Sequence, residues 1–147
     1  DGNDNAAVQY TVGSSPISGT KGTLGYDQLV EFWAQFDPYT MNTLLCSTPT
    51  MTAMLKIPEL QNPLTGLNFQ GTGKLSTPLG AQLCRSSVVD DNVIIGLDNR
   101  YALEQVRAGD VMVEFDKIID RQLERAAIST ISGFAKICDG ASCVLNV

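Results

Sequence analysis

Residues 92–137, NVIIGLDNRYALEQVRAGDVMVEFDKIIDRQLERAAISTISGFAKI, decide how this chain is read. They hold short apolar runs, charged breaks and alternating residues, with no group that looks catalytic. Residues 92–97 read as a strand, and 99–106 as a short helix or an irregular crossover. Arg107-Ala108-Gly109-Asp110 reads as a turn. Val111, Val113 and Phe115 then alternate with Met112 and Glu114, as in a half-buried strand. Residues 117–125 fit either a helix, with Asp120 and Glu124 four apart, or a strand bearing Ile119, Arg121, Leu123 and Arg125. Residues 126–137 are rich in β-formers, so a long, bent β excursion is expected. Its apolar residues need neighbours, which directs attention to a surface that assembles.

Upstream, the stretch has a frame. Residues 1–25 are rich in Gly, Ser, Thr and Asn and predict an irregular strap, with at most one short strand at Gln9-Tyr10-Thr11-Val12. A helix starts near Tyr26 and is ended by Pro38. Leu29, Val30, Phe32, Trp33 and Phe36 recur on it at three- and four-residue spacing. That stripe packs on a sheet or, in the other reading, forms an aromatic ligand box. Residues 42–46 predict a buried strand. Ser47-Thr48-Pro49 then supplies a hydroxyl cap and a proline at the first helical position, and the helix through Met51, Met54 and Leu55 ends before Pro58. Residues 58–80 form a long loop broken by Pro and Gly. Residues 81–89 and 92–97 predict a hairpin about Asp90-Asp91, and residues 144–147 a last short strand.

The 147 residues are 44% hydrophobic and 18% charged, enough for one globular domain with a core. No apolar run approaches the roughly 20 residues that span a bilayer. The net charge of −6 argues against a dedicated nucleic-acid binder, so neither a sequence-specific nucleic-acid partner nor a membrane partner is expected. Asp1 in place of Met, with no signal-peptide pattern after it, leads to the expectation of a piece of a longer chain. Cys46, Cys84, Cys138 and Cys143 are irregularly spaced, as suits a reducing cytoplasm, although a Cys138–Cys143 bridge is sterically open.

The chemical inventory is thin. There is no histidine, which removes Ser-His-Asp and Cys-His catalysis and His-ligated metals. The cysteines lack the close pairs of a zinc site. Gly71-Thr72-Gly73-Lys74 fails as a phosphate loop: Asn68 stands where the first Gly belongs and Leu75 where Ser or Thr would bind magnesium. No catalytic residue, metal or cofactor is expected, and hence no enzyme. A small-molecule binding module that uses residues 58–80 as a lid is the rival class. The charged run Asp120, Arg121, Glu124 and Arg125 is either a solvated face or a set of intersubunit ion pairs, and these four are the candidate interface residues.

Several segments, in order, carry a family likeness: Asn42-Thr43-Leu44-Leu45-Cys46-Ser47-Thr48-Pro49-Thr50-Met51, Val93-Ile94-Ile95-Gly96-Leu97-Asp98, Tyr101-Ala102-Leu103-Glu104, the run from Asp116 to Arg125, and Ser132-Gly133-Phe134. Over residues 26–137 the chain resembles the C-terminal part of tailed-phage or prophage major capsid proteins of the Hong Kong ninety-seven type. The resemblance implies an α+β fold with a central mixed sheet flanked by helices, the axial domain, and a β extension toward a peripheral domain. It would divide the chain into a strap at 1–25, the axial domain at 26–115, the β excursion at 116–137 and a C-terminal strand or tail at 138–147. It also implies a structural coat protein of the virion, assembled in the bacterial host cytoplasm. Such a protein has further copies of itself as partners in pentamers and hexamers of an icosahedral shell, along with scaffolding protein and portal. The shell protein of an encapsulin-type nanocompartment shares the fold and is the alternative.

Overall fold

A computed structural model of the chain describes residues 7–61, 74–119 and 122–147. The fold is α+β and falls into two compact units. One runs to Ala102 and resumes over Cys138–Val147; the other is Leu103–Ile137.

The first unit is built on a six-stranded mixed sheet. Its strands are β1 (Val8–Thr11), β2 (Thr43–Cys46), β3 (Lys74–Ser76), β4 (Gln82–Arg85), β5 (Val93–Leu97) and β10 (Ser142–Asn146), in the order β1-β10-β5-β2-β4-β3. Two helices join it, α1 (Tyr26–Ala34) and α2 (Thr48–Leu55). The alternation of each strand sorts its side chains by face. Leu44, Cys46, Leu83, Ile94, Cys143 and Leu145 lie on one face and are buried with Leu29, Phe32, Met51 and Met54 of the helices. The opposite face carries the cross-strand row Val144, Ile95, Leu45 and Cys84, all half-buried. Burial pushes the Cys46 thiol up to about 11, with the neighbouring Cys84 adding to it. None of the four cysteines forms a disulfide.

Side chains from α1 and the segment after it press on the sheet at Gly96 of β5. A Cβ there would stand 2.8 Å from the Phe36 ring, 2.9 Å from that of Phe32 and 3.1 Å from the Met41 sulfur. Phe32 and Phe36 meet edge to face, with centroids 5.4 Å apart, and Tyr10 meets Phe32 at 6.2 Å. The glycine is thus the hole into which the aromatic pair fits.

Several expectations need correcting. The strap is tied in: β1 pairs in parallel with β10, and Val12 and Ile17 are buried. Ser18 also donates its N–H and hydroxyl to the Glu31 carboxylate at 2.6 and 2.7 Å. β4 and β5 are not a hairpin, because β2 lies between them and Asp90-Asp91 turns the chain across it. α1 stops at Ala34, before Pro38, and its cap residue is Gln35. Trp33 is 44% exposed, whereas Leu29, Phe32 and Phe36 are buried. Trp33 follows Phe32 by about 100° around the helix, at the flank of the stripe. The Ser47 hydroxyl does not cap α2 but pairs with Thr50 Oγ1 at 3.1 Å, which in turn accepts the Asn92 N–H. Residues 103–107 are strand rather than helix or crossover. The C-terminal strand is internal to the sheet, between β1 and β5. Most of the long loop at 58–80, the glycine-rich 71–73 included, lies outside the described residues.

We expect Gly96→Ala to destabilise the first unit by about 1–3 kcal/mol, because backbone holds the site on one side and two rings on the other. Urea unfolding followed through Trp33 fluorescence checks this.

Candidate assembly surface

The second unit is a long β-ribbon. β6 (Leu103–Arg107) pairs antiparallel with β9 (Ser132–Lys136), and β7 (Met112–Ile118) with β8 (Leu123–Ser129). Between the two ladders, residues 108–111 stand against residues 130–131, and Ala108 N–H donates to the Ile131 carbonyl at 3.0 Å. Gly109 has a φ of 92°, which glycine adopts without strain. The ribbon therefore starts at Leu103, not at 116. The alternation of Val111, Val113 and Phe115 is that of a strand, but not of a half-buried one: Phe115 is 80% exposed and Val111 and Val113 are exposed too. A two-stranded ribbon has no second layer, so alternation alone does not produce burial.

Residues directly opposite one another share a face. One face of the β7–β8 ladder sets Val113 beside Ile128, Phe115 beside Ala126, and Lys117 beside Glu124. The other sets Met112 beside Ser129, Glu114 beside Ala127, and Asp116 beside Arg125. The first is mainly apolar and ends in opposite charges; the second, which also includes the register pair Ile118 and Leu123, is mixed. On the β6–β9 ladder, Leu103, Val106 and Phe134 are likewise exposed. Exposed apolar side chains in this number on one ribbon make it a candidate interaction surface.

Of the four candidate interface residues, Glu124 and Arg125 are adjacent on β8 and so face opposite ways. Arg125 Nη2 meets Asp116 Oδ2 at 2.8 Å within the chain. Both side chains are well exposed, and such surface pairs contribute on the order of 0–1 kcal/mol. Asp120 and Arg121 lie outside the described residues. The sequence puts the charges forward as the interface candidates and places Val113 and Phe115 in a half-buried strand, whereas the structure leaves them and Ile128 exposed. The signal was present, because a β-alternating run that offers no second layer leaves its apolar face open.

Where the chain leaves the first unit, one side chain gathers the backbone. Asp98 is fully buried. Its carboxylate accepts from Thr40 N–H at 3.2 Å, from Asn42 Nδ2 at 3.1 Å, and from Arg100 through N–H, Nε and Nη2 at 3.1 Å each. The Arg100 guanidinium is the main reason its pKa falls to about 2; burial opposes the fall, and the Arg100 and Thr40 N–H groups add to it. The Asp98 main chain donates to the Ala141 carbonyl and accepts from Ala102 N–H, both at 2.9 Å.

Among the described residues no three His, Cys, Asp or Glu side chains gather as metal ligands, and no helix is long and apolar enough to cross a membrane. No protein-family model and no curated protein sequence matches this chain.

Because the Asp98 pKa is lower in the fold than in the unfolded chain, its stabilising effect is complete above about pH 4 and is lost as pH falls toward 2. Asp98→Asn should be less stable at neutral pH and should show a flatter stability profile between pH 4 and 2. Denaturant titrations at a series of pH values read both effects.

Proposed function

We propose that this chain is a structural coat subunit of a tailed-phage or prophage shell, and that the ribbon Leu103–Ile137 is the part that meets neighbouring copies. The observation that carries this reading is the unburied apolar face of Val113, Phe115 and Ile128 on a ribbon without a second layer. A ribbon of this kind is marginal alone in water and gains most when another surface covers it. Heterologous contacts of that sort between identical copies close into rings, as pentamers and hexamers require. The half-buried row Val144, Ile95, Leu45 and Cys84 gives the first unit a second surface of intermediate character. The ordered likeness of residues 26–137 to major capsid proteins supports the same reading.

The protein in its complete form, expressed with any scaffolding protein it needs, should form capsomers or particles visible by electron microscopy. Phe115→Asp with Ile128→Asp should abolish particles while leaving the urea-unfolding midpoint of the Trp33-bearing unit unchanged. Particles formed by this double variant, or none formed by the unsubstituted protein, would sink the proposal. Reversing the charges of Asp120, Arg121, Glu124 and Arg125 should lower the yield of particles more than it lowers stability.

A further inference from the structure

Trp33 is the only tryptophan in the chain and stands 44% exposed on a helix whose Leu29 and Phe32 are buried. It opens onto a cavity of about 410 Å³ lined by Trp33, Ala34, Asp37, Pro38, Tyr39 and Thr40. All six belong to one short stretch of the first unit. The stretch runs from the last turn of α1 into the segment where Tyr39 N–H donates to the Phe36 carbonyl at 2.6 Å. Two aromatic rings and a proline ring therefore share a wall with a carboxylate.

Three observations indicate what such a wall holds. Asp37 lines the cavity and makes no ion pair with any described residue. Next, the aromatic group continues outward: Tyr39 and Tyr101 are 5.9 Å apart between centroids, and the Arg100 guanidinium sits 5.4 Å from the Tyr101 ring. One end of the group thus already holds a cation over a ring face, and that cation is itself compensated by Asp98. Finally, the Tyr39 phenol is pushed up, chiefly by its hydrogen bond with Cys138 and then by the charges around it, including that of Asp139. A tyrosine is already neutral at physiological pH, and this shift leaves it so. Exposed aromatic faces beside a carboxylate attract a cation of low hydration more than they attract a metal ion or an anion, because ring quadrupole and carboxylate act in the same direction.

We propose that the Trp33–Asp37–Tyr39 cavity binds a small organic cation of the alkylated ammonium class. The ammonium methyl groups lie against the Trp33 and Tyr39 rings, with Asp37 supplying the counter-charge. The site is independent of the ribbon and of any assembled state, so it stands or falls apart from the coat-protein reading.

Trp33 provides the probe. Choline titrated into the 147-residue chain should change Trp33 fluorescence saturably. The neutral isostere of choline, with tert-butyl in place of trimethylammonium, should bind roughly three- to tenfold more weakly, the range that cation–aromatic attraction accounts for. Asp37→Asn should weaken choline to a similar degree. For Trp33→Ala, where the probe is lost, line broadening of the choline methyl protons should disappear. Equal response to choline and its isostere would make the cavity merely apolar and overturn the proposal. A linear, non-saturating response to choline would overturn it too, as would unchanged broadening with Trp33→Ala. Asp37 is exposed and Phe32 and Phe36 carry the core, so these variants keep the fold, and near-ultraviolet circular dichroism of the Asp37→Asn chain verifies this.

Discussion

A single buried carboxylate sets the terms for the rest of the first unit. Asp98 directly follows β5 at zero exposure and would be costly there if left alone. The fold places around it the N–H of Thr40, the amide of Asn42 and three donors of Arg100. Those partners come from two places in the chain, the entry to β2 and the exit from β5, so satisfying one charge brings the two segments into register. Asn42 extends the knot by exchanging hydrogen bonds with Asn99. The Asp98 main chain reaches Ala141 and Ala102, the last well-buried residues on either side of the ribbon. The two points at which the chain leaves and re-enters the sheet unit are thereby held by one set of hydrogen bonds. The ordering does not depend on contacts made within the ribbon.

The two units solve the problem of apolar surface in different ways. The sheet unit covers one face with α1 and α2 and leaves the other half-buried. Gly96 permits this by letting the Phe32–Phe36 pair approach the backbone, so the helix layer sits close without a void. Among the described residues the ribbon has two strands and no covering layer, and its large apolar side chains Val113, Phe115 and Ile128 are exposed. Within the chain its stability rests on backbone pairing and cross-strand contacts such as Asp116 with Arg125, which are weak in water.

What could be read from the sequence follows from how local each signal is. β2, α2 and β5 are legible because strand apolarity, the Thr48-Pro49 start and the break at Pro58 all lie within a few residues of the elements they define. The pairing of β4 with β2 is not. Asp90-Asp91 is a good turn by itself, and nothing nearby says that a third strand inserts. The central place of β10 is equally remote, since it depends on β1 and β5, far off in the chain. Alternation at residues 111–115 correctly indicates strand but is blind to burial, which needs a second layer to be known. Trp33 shows the same limit on a helix: a residue at the flank of an apolar stripe is in or out according to the width of the surface it meets. The Asp98 knot left one trace, a lone acid ending an apolar strand and followed closely by Arg100. Turn chemistry explains that trace as readily until the donors are seen.

The distribution of charge bears on the ribbon as a meeting surface. Residues 103–137 carry six acidic and five basic side chains, so nearly all of the net −6 belongs to the remainder of the chain. A surface that met many identical copies, as proposed for the ribbon, would be poorly served by a large charge of one sign, because every contact would then be repulsive. Mixed signs placed opposite one another, as Lys117 and Glu124 are, remove that repulsion and leave the choice of partner to the apolar residues between them. The acidic remainder acts the other way and opposes indiscriminate association through the sheet unit. Charge and exposed apolar surface thus divide the chain along the same line, at Leu103 and Ile137, although one is read from composition and the other from geometry.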